Sequence, residues 1–472
     1  MYQGIIIGTV LILLAIVLLV FRKKSDDSFN IFLRIVTVLF LVVGFFRFFL
    51  SDSFINDINY DAEIEKIDFL QVILRWGYYL NYAVLPMAVF FKNRLFKNIA
   101  SYFCLLISIL SMVFFNDFMA YFLDSSGRGL HFTPGFRYFY FCFELVLAIF
   151  IPVVMQVKER HLFNVKDGKE WRNFLICLPL ILLQMVPVYI PQHLVGYTSI
   201  TLKSYSAFHI VWIAITLIQV FGLYKIFEFK SYNDRYMLCV FLTIILFFHY
   251  DSLFLMGITL PRLPVQLCNM AAYFYIICIP LKLKRMFNFC FICNVVGAII
   301  ATVTPDFSGG AFGFWNMHYM YEHMLVLIVP ALCMGLRIFP RINKKSIKHM
   351  VVGFTCYFFF CLILGTILNG YSDVTGVKVN YFFLFDMKKM YGWLPFLKFT
   401  ENFNISLGRF TIYPIYVSII YFGFSFLCIL FYWFIIKVYE YVDDHHELRK
   451  SRIDLYEKIT GKKSKSPVDY VD

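Results

Sequence analysis

Apolar residues in this chain come in long continuous runs, and polar residues come in short clusters between them. Runs of about 20 residues match the ~30 Å hydrocarbon core of a bilayer, and a helix satisfies its own backbone hydrogen bonds there. The pattern predicts thirteen helical spans, at 4–21, 30–50, 68–91, 96–116, 135–156, 171–191, 208–228, 236–257, 263–281, 286–304, 317–337, 348–369 and 412–439. The runs are continuous rather than alternating, so a β-barrel is not expected. The predicted fold class is all-α, a polytopic integral membrane protein. The first run, Gly4 to Phe21, has the length of a signal peptide but lacks a basic n-region and a small-residue cleavage site. It is read as a retained helix.

Composition agrees. Of 472 residues, 60% are apolar, 20% aromatic and only 15% charged, more apolar surface than a soluble domain could hide. The net charge of +13 does not point to nucleic acid. Most Lys and Arg lie in short loops after the odd-numbered spans, such as FKNRLFK, KLKR and RIFPRINKKSIKH. Acidic or weakly charged loops, such as residues 51–68, follow the even ones. The positive-inside rule then puts the N-terminus outside and the C-terminus in the cytoplasm of a cell-membrane protein. The expected partners are membrane phospholipids; the oligomeric state is not encoded legibly. All twelve Cys lie in or beside apolar runs, where free Cys acts as a small hydrophobe. The CxxC pair Cys290 and Cys293 sits inside an apolar helix and reads as packing. Asp443, Asp444, His445 and His446 have metal-ligating chemistry, but adjacent helix positions point apart. A solvated charged face is expected there, and no metal or cofactor is.

The expected organisation is a six-span half at 1–200, a seven-span half at 205–442 and a basic tail at 443–472. A weak internal repeat relates the flank of span 1 to that of span 7, and ELVLAIFIPVV in span 5 to EHMLVLIVPAL in span 11. A six-span offset would make it a parallel repeat; the alternative is that Phe-rich apolar sequence resembles itself by composition. If the repeat holds, the first half, with Glu144 but no neighbouring His, is a scaffold for chemistry in the second. The long aromatic loop 371–411 reads either as a lid over the outer mouth or as an interfacial aromatic belt.

Polar groups inside a bilayer are costly, so each is a functional hypothesis. Cys268 lies five residues below the start of span 9 and His323 six below the start of span 11. At ~1.5 Å per residue both sit about 8–9 Å below the outer boundary. Asp306 closes span 10 at the same end, His209 begins span 7, and His249 and Asp251 lie in the outer third of span 8. Each has a plain structural reading: a buried thiol, a histidine capping a carbonyl, a turn-forming Asp after Pro305, an interfacial histidine. Together they suggest a nucleophile and its base, because a thiol needs thiolate character to attack a carbonyl and an imidazole supplies it. Asp306 or Asp251 would orient the base. Gln266 and Asn269 offer amide N–H donors for an oxyanion. Glu322, adjacent to His323, is expected to point elsewhere. Gly309, Gly310 and Gly313 would let backbone approach a head group closely.

LPVQLC at 263–268, TPD at 304–306, His323 and the later NGYSDVTGVKVNYFFL and GWLPFL occur in an order that resembles the YwaF-like bacterial integral membrane proteins. These are related to the eukaryotic transmembrane-protein-164 acyltransferases. His209 matches a His early in that family's first span. The resemblance covers about 205–440 and leaves spans 1–6 outside it. It implies acyl transfer on membrane lipids, with Cys268 carrying the acyl group as a thioester and His323 as base. The chain departs from the pattern at Gln266, where the family often has His.

The function expected first is therefore a phospholipid acyltransferase or transacylase, with a lipid hydrolase as a close variant. The alternatives are a lipid or small-molecule transporter, suited by a parallel repeat and Pro-interrupted spans, and a non-catalytic membrane scaffold.

Overall fold

The computed structural model describes residues 1–22, 25–50, 69–119, 133–159, 168–195, 202–251, 253, 260–307, 310–392 and 394–460. The acidic loop 51–68, Gly309, Trp393 and the last part of the tail, 461–472, lie outside these residues. Each of the thirteen expected spans overlaps a helix among the described residues; residues 252 and 254–257 of the span expected at 236–257 lie outside them. Among the described residues, nine helical stretches are long and apolar enough to cross a membrane by length and composition. The protein is an all-α, multi-pass membrane protein.

The chain forms two compact units. The first comprises Met1–Lys203, Ile244–Ile258 and Phe307–Tyr321. It holds α1 (Tyr2–Phe21), α2 (Asp26–Leu50), α3 (Phe69–Tyr79), α4 (Asn81–Phe90), α5 (Arg94–Asn98), α6 (Leu105–Val113), α7 (Phe115–Met119), α8 (Pro134–Glu159), α9 (Gly168–Gln184) and α10 (Ile190–Val195). The span expected at 68–91 is two helices, separated at Leu80, with Pro86 inside α4. The span expected at 96–116 contains a π-helical segment, Ile99–Cys104, between α5 and α6. Such an insertion adds a residue to a turn and re-aims the side chains that follow. α8 packs against α1, α2 and α6.

The core of this unit is not purely apolar. Arg47, on α2, is buried, and its Nε lies 3.5 Å from Oε2 of the buried Glu144 on α8. Its Nη1 donates to the Tyr82 hydroxyl at 2.9 Å, and that hydroxyl donates to Glu144. The guanidinium lies over the rings of Tyr78, Phe118 and Phe141, with centroids 5.0–5.5 Å away. Gly44 makes room for the Tyr82 ring, which a Cβ there would overlap.

The second unit comprises Ser204–Thr243, Thr259–Asp306 and Glu322–Asp472. It holds α11 (Ala207–Phe227), most of α12 (Tyr232–Asp251), α13 (Leu267–Cys278), α14 (Lys284–Val303), the later part of α15 (Phe314–Gly335), α16 (Lys344–Gly370), α17 (Ser372–Thr375), α18 (Met387–Tyr391) and α19 (Pro414–Thr460). A hairpin of β1 (Ile405–Leu407) and β2 (Phe410–Ile412) precedes α19, with Leu407 opposite Phe410. Gly408 turns it at φ +61°, a conformation open to glycine. α13 and α16 both pack on α14. With 12 residues, α13 rises only about 18 Å, short of a ~30 Å core.

α19 runs for 47 residues, well past the expected span. Its stretch from Asp443 to Arg449 is docked. Asp443 pairs with Arg337 at 3.0 Å and also with Arg341. The buried Glu228 pairs with Arg449, and the buried His446 stacks on Phe229 with centroids 4.8 Å apart. Asp443 and His446 are thus packing and pairing groups, not the solvated face expected of them. No cluster of metal-ligating side chains occurs among the described residues.

Removing one partner of a buried pair leaves the other charge uncompensated, at about 3–5 kcal/mol. Glu144→Gln should therefore lower the unfolding midpoint of the purified protein more than the double change Arg47→Met/Glu144→Gln does. Tryptophan fluorescence during denaturation in detergent reads both. Equal losses would mean that the pair is not the stabilising feature.

Candidate functional site

Pro264 cannot donate an N–H, and α13 begins only at Leu267, four residues later than the span expected at 263. The chain entering α13 is therefore irregular backbone at a depth where water is scarce. Such backbone survives only where protein supplies its partners. Here side chains supply them. The Tyr381 hydroxyl donates to the Leu260 carbonyl at 2.5 Å. The Tyr357 hydroxyl donates to the Val265 carbonyl at 3.0 Å, and the Cys361 thiol reaches the same oxygen at 3.7 Å. Asn294 Nδ2 donates to the Leu267 carbonyl at 3.1 Å. Burial pushes the Tyr381 hydroxyl up to about 12, so it remains a donor at neutral pH.

Gln266 is the N-cap residue of α13, but its side chain does not cap the helix. Nε2 donates to the Asn380 carbonyl at 2.9 Å, and Oε1 accepts from the Phe382 N–H at 2.9 Å. Both amide atoms are committed to the loop, not to an oxyanion. Asn380 Oδ1 in turn accepts from the N–H groups of Phe385 and Asp386. Asn369 clamps Val379 through both its amide atoms, at 2.9 and 2.8 Å. Phe382 and Phe383 adopt left-handed φ values of 51° and 57°, a strained choice for bulky residues. The Phe382 ring repays it by packing among Phe354, Tyr357, Phe358 and Phe424. The loop is thus fixed across the start of α13.

Cys268 is the second residue of α13 and is half-buried. Of the twelve cysteines nine are buried, and Cys268 is one of two of intermediate exposure. Gly297 on α14 allows close approach: a Cβ there would sit 3.6 Å from Cys268 Sγ and 3.2 Å from Leu267 Cδ2. Glu322, set aside on sequence grounds, is buried on α15. His323, the next residue of α15, is buried. Asn269 is half-exposed, and Asp306 is exposed after the end of α14.

His209 is buried at the start of α11, where Ser206 caps the helix. Its Nδ1 accepts from the Tyr205 N–H at 3.0 Å, and its Nε2 meets the Thr302 carbonyl at 2.9 Å. A carbonyl can only accept, so the ring proton is on Nε2 and both nitrogens are engaged. His209 ties α11 to the end of α14.

His249 and Asp251 belong to the first unit. His249 is buried, stacks on Tyr321 at 4.9 Å and lies 3.4 Å from the Gln184 carbonyl. Asp251 is fully buried, and among the described residues neither of its carboxylate oxygens is hydrogen-bonded. Sequence reasoning missed the Arg47–Glu144–Tyr82 cluster of this unit. Its signal was the presence of charged residues inside apolar runs.

Fold and site define a multi-pass helical membrane protein whose short, uncapped α13 presents a thiol beneath a fixed loop. Residues 204–435 match the model of the TMEM164 family. It covers the same residues as the resemblance drawn from the motifs. No curated protein and no solved structure matches the chain.

Gln266→Leu keeps the side-chain volume but deletes both bonds to the loop. Leaving buried polar groups unpaired costs about 1–3 kcal/mol. Amide hydrogen exchange at Phe382 should rise roughly 10- to 100-fold, while exchange in α14 stays unchanged. Unaltered exchange at Phe382 would contradict the clamp.

Proposed function

We propose that the protein is a membrane-embedded lipid acyltransferase or transacylase, with Cys268 as nucleophile and His323 as base. The single supporting observation is the half-buried Cys268 in the first turn of α13, within the stretch that matches the TMEM164 family model. A helix N-terminus carries partial positive charge and favours a thiolate. The first-turn N–H groups of α13 have no side-chain cap, so backbone takes the oxyanion role expected of Gln266 and Asn269. Asp306 and His209 are supporting groups in this reading, with His209 acting through the helix ends it joins. No cofactor and no metal take part.

The steps balance without one. The Cys268 thiol gives its proton to the base, and the sulfur attacks the ester carbonyl of a phospholipid. The tetrahedral intermediate expels the lysolipid oxygen, which takes that proton, and leaves a thioester. A hydroxyl of a second lysolipid then loses its proton to the base and attacks the thioester, regenerating the thiol. With water as acceptor the same site is a hydrolase. In this reading residues 205–442 are the catalytic half, 1–200 a membrane scaffold and 443–472 a basic cytoplasmic tail. The site faces the outer half of the cell membrane, with the N-terminus outside. Membrane phospholipids are the partners, and nucleic acid is not.

One observation favours a second reading, transport. Buried ionisable groups such as Glu144, Arg47 and Asp251 in a membrane bundle mark ion and proton paths in carriers. Accessibility of substituted cysteines from the basic-loop side of α13 and α15 separates the two readings, because a transport path would continue inward.

Incubation with phospholipid should acylate Cys268 through a bond that hydroxylamine cleaves, and Cys268→Ala should abolish it. His323→Ala should lower lipid turnover about 10²- to 10⁴-fold. Unchanged turnover in His323→Ala would sink the assignment.

A further inference from the structure

A groove of about 920 Å³ runs between α13, α14 and α16, within the second unit. Its walls are apolar, formed by Phe274, Phe289, Val352, Cys356 and Phe360. Its lower end is strongly basic: Arg285, Lys345, Lys348 and His349 all line it. From Lys345 to Phe360 it follows α16 for roughly 22 Å. That exceeds half of a ~30 Å hydrocarbon core, the depth of one leaflet.

The cations have no internal explanation. Arg285, Lys345 and Lys348 are exposed, and none has an ion-pair partner among the described residues. Lys344 and Lys345 stand in the first turn of α16, which contains no acidic residue. Cations are disfavoured there by the helix dipole, whereas an anion is favoured. The histidine is held as a donor. The buried Asn288 donates from Nδ2 to His349 Nδ1 at 3.1 Å, so the ring proton sits on Nε2. The four groups and the helix end offer a phosphate what they cannot offer one another.

We propose that this groove binds an anionic phospholipid of the leaflet on the basic-loop side. Its phosphate lies against Arg285, Lys345, Lys348 and His349, and an acyl chain lies along Phe274, Phe289 and Val352. Charge complementarity selects the occupant: a zwitterionic lipid brings its own cation to the basic end, and a soluble anion leaves the apolar walls uncovered. The upper end of the groove reaches Met270, on the helix that carries Cys268. The proposal holds whether or not Cys268 performs acyl transfer.

Cys356 lines the groove and is exposed, so it reports occupancy directly. The full chain in detergent micelles is treated with a maleimide, and labelling of Cys356 is read by peptide mass spectrometry. Phosphatidylglycerol should protect Cys356 at a concentration at least about tenfold below that needed for phosphatidylcholine, from about fivefold per cation near an anionic group. The change Arg285→Gln/Lys345→Gln/Lys348→Gln should erase that difference. Val352→Trp, which keeps the cations but fills the apolar wall, should weaken protection by phosphatidylglycerol. Equal protection by the two lipids in the unaltered protein, or a preference that survives loss of the cations, would overturn the proposal. Protection by inorganic phosphate alone would overturn it too, in favour of a soluble anion.

Discussion

A peptide carbonyl at hydrocarbon depth has no water to turn to, and an unpaired one costs several kcal/mol. The irregular chain from Leu260 to Gln266 meets this constraint with side chains from three other elements: Tyr381 of the loop, Tyr357 and Cys361 of α16, and Asn294 of α14. α13 can begin late and stay short because of them. The same donors fix where its first turn lies, and with it Cys268. The loop is held in turn by Gln266, so the entry to α13 and the loop stabilise each other. A thiol on a long, regular span would have neither the uncapped helix end nor the fixed roof.

The first unit meets the same cost differently. It buries a full charge, Arg47, and surrounds it with a carboxylate, a phenol and three aromatic faces. Aromatic residues, a fifth of the chain, explain why this is feasible: a phenol supplies a donor and a π-face on one rigid side chain. In the second unit the same residue type serves backbone carbonyls instead. One composition therefore supports two kinds of buried polar network.

The spans were legible because hydrophobic length is a property of a continuous stretch of sequence. Their interruptions were not. The break at Leu80, the π-helical turn at Ile99–Cys104 and the late start of α13 all depend on partners supplied by distant elements. Gln266 shows the limit most clearly, since its partners Asn380 and Phe382 lie 114 and 116 residues away. Its amide looked available for catalysis only because those partners were out of view. Arg47 and Glu144 stood in plain sight inside apolar runs, but nothing in the order of residues paired them. The docking of the tail through Asp443 and His446 was hidden for the same reason.

The account turns on whether the imidazole of His323 governs the reactivity of the Cys268 thiol. The direct measurement is the rate at which a membrane-soluble haloacetamide alkylates Cys268 in reconstituted protein, followed by peptide mass spectrometry across pH 5 to 9 as a roughly physiological window for histidine titration. The account predicts a rate that rises with deprotonation of an imidazole and falls at least about tenfold in His323→Gln. An identical rate and pH profile in the two proteins would show a thiol that does not sense His323, and the catalytic pairing would be wrong.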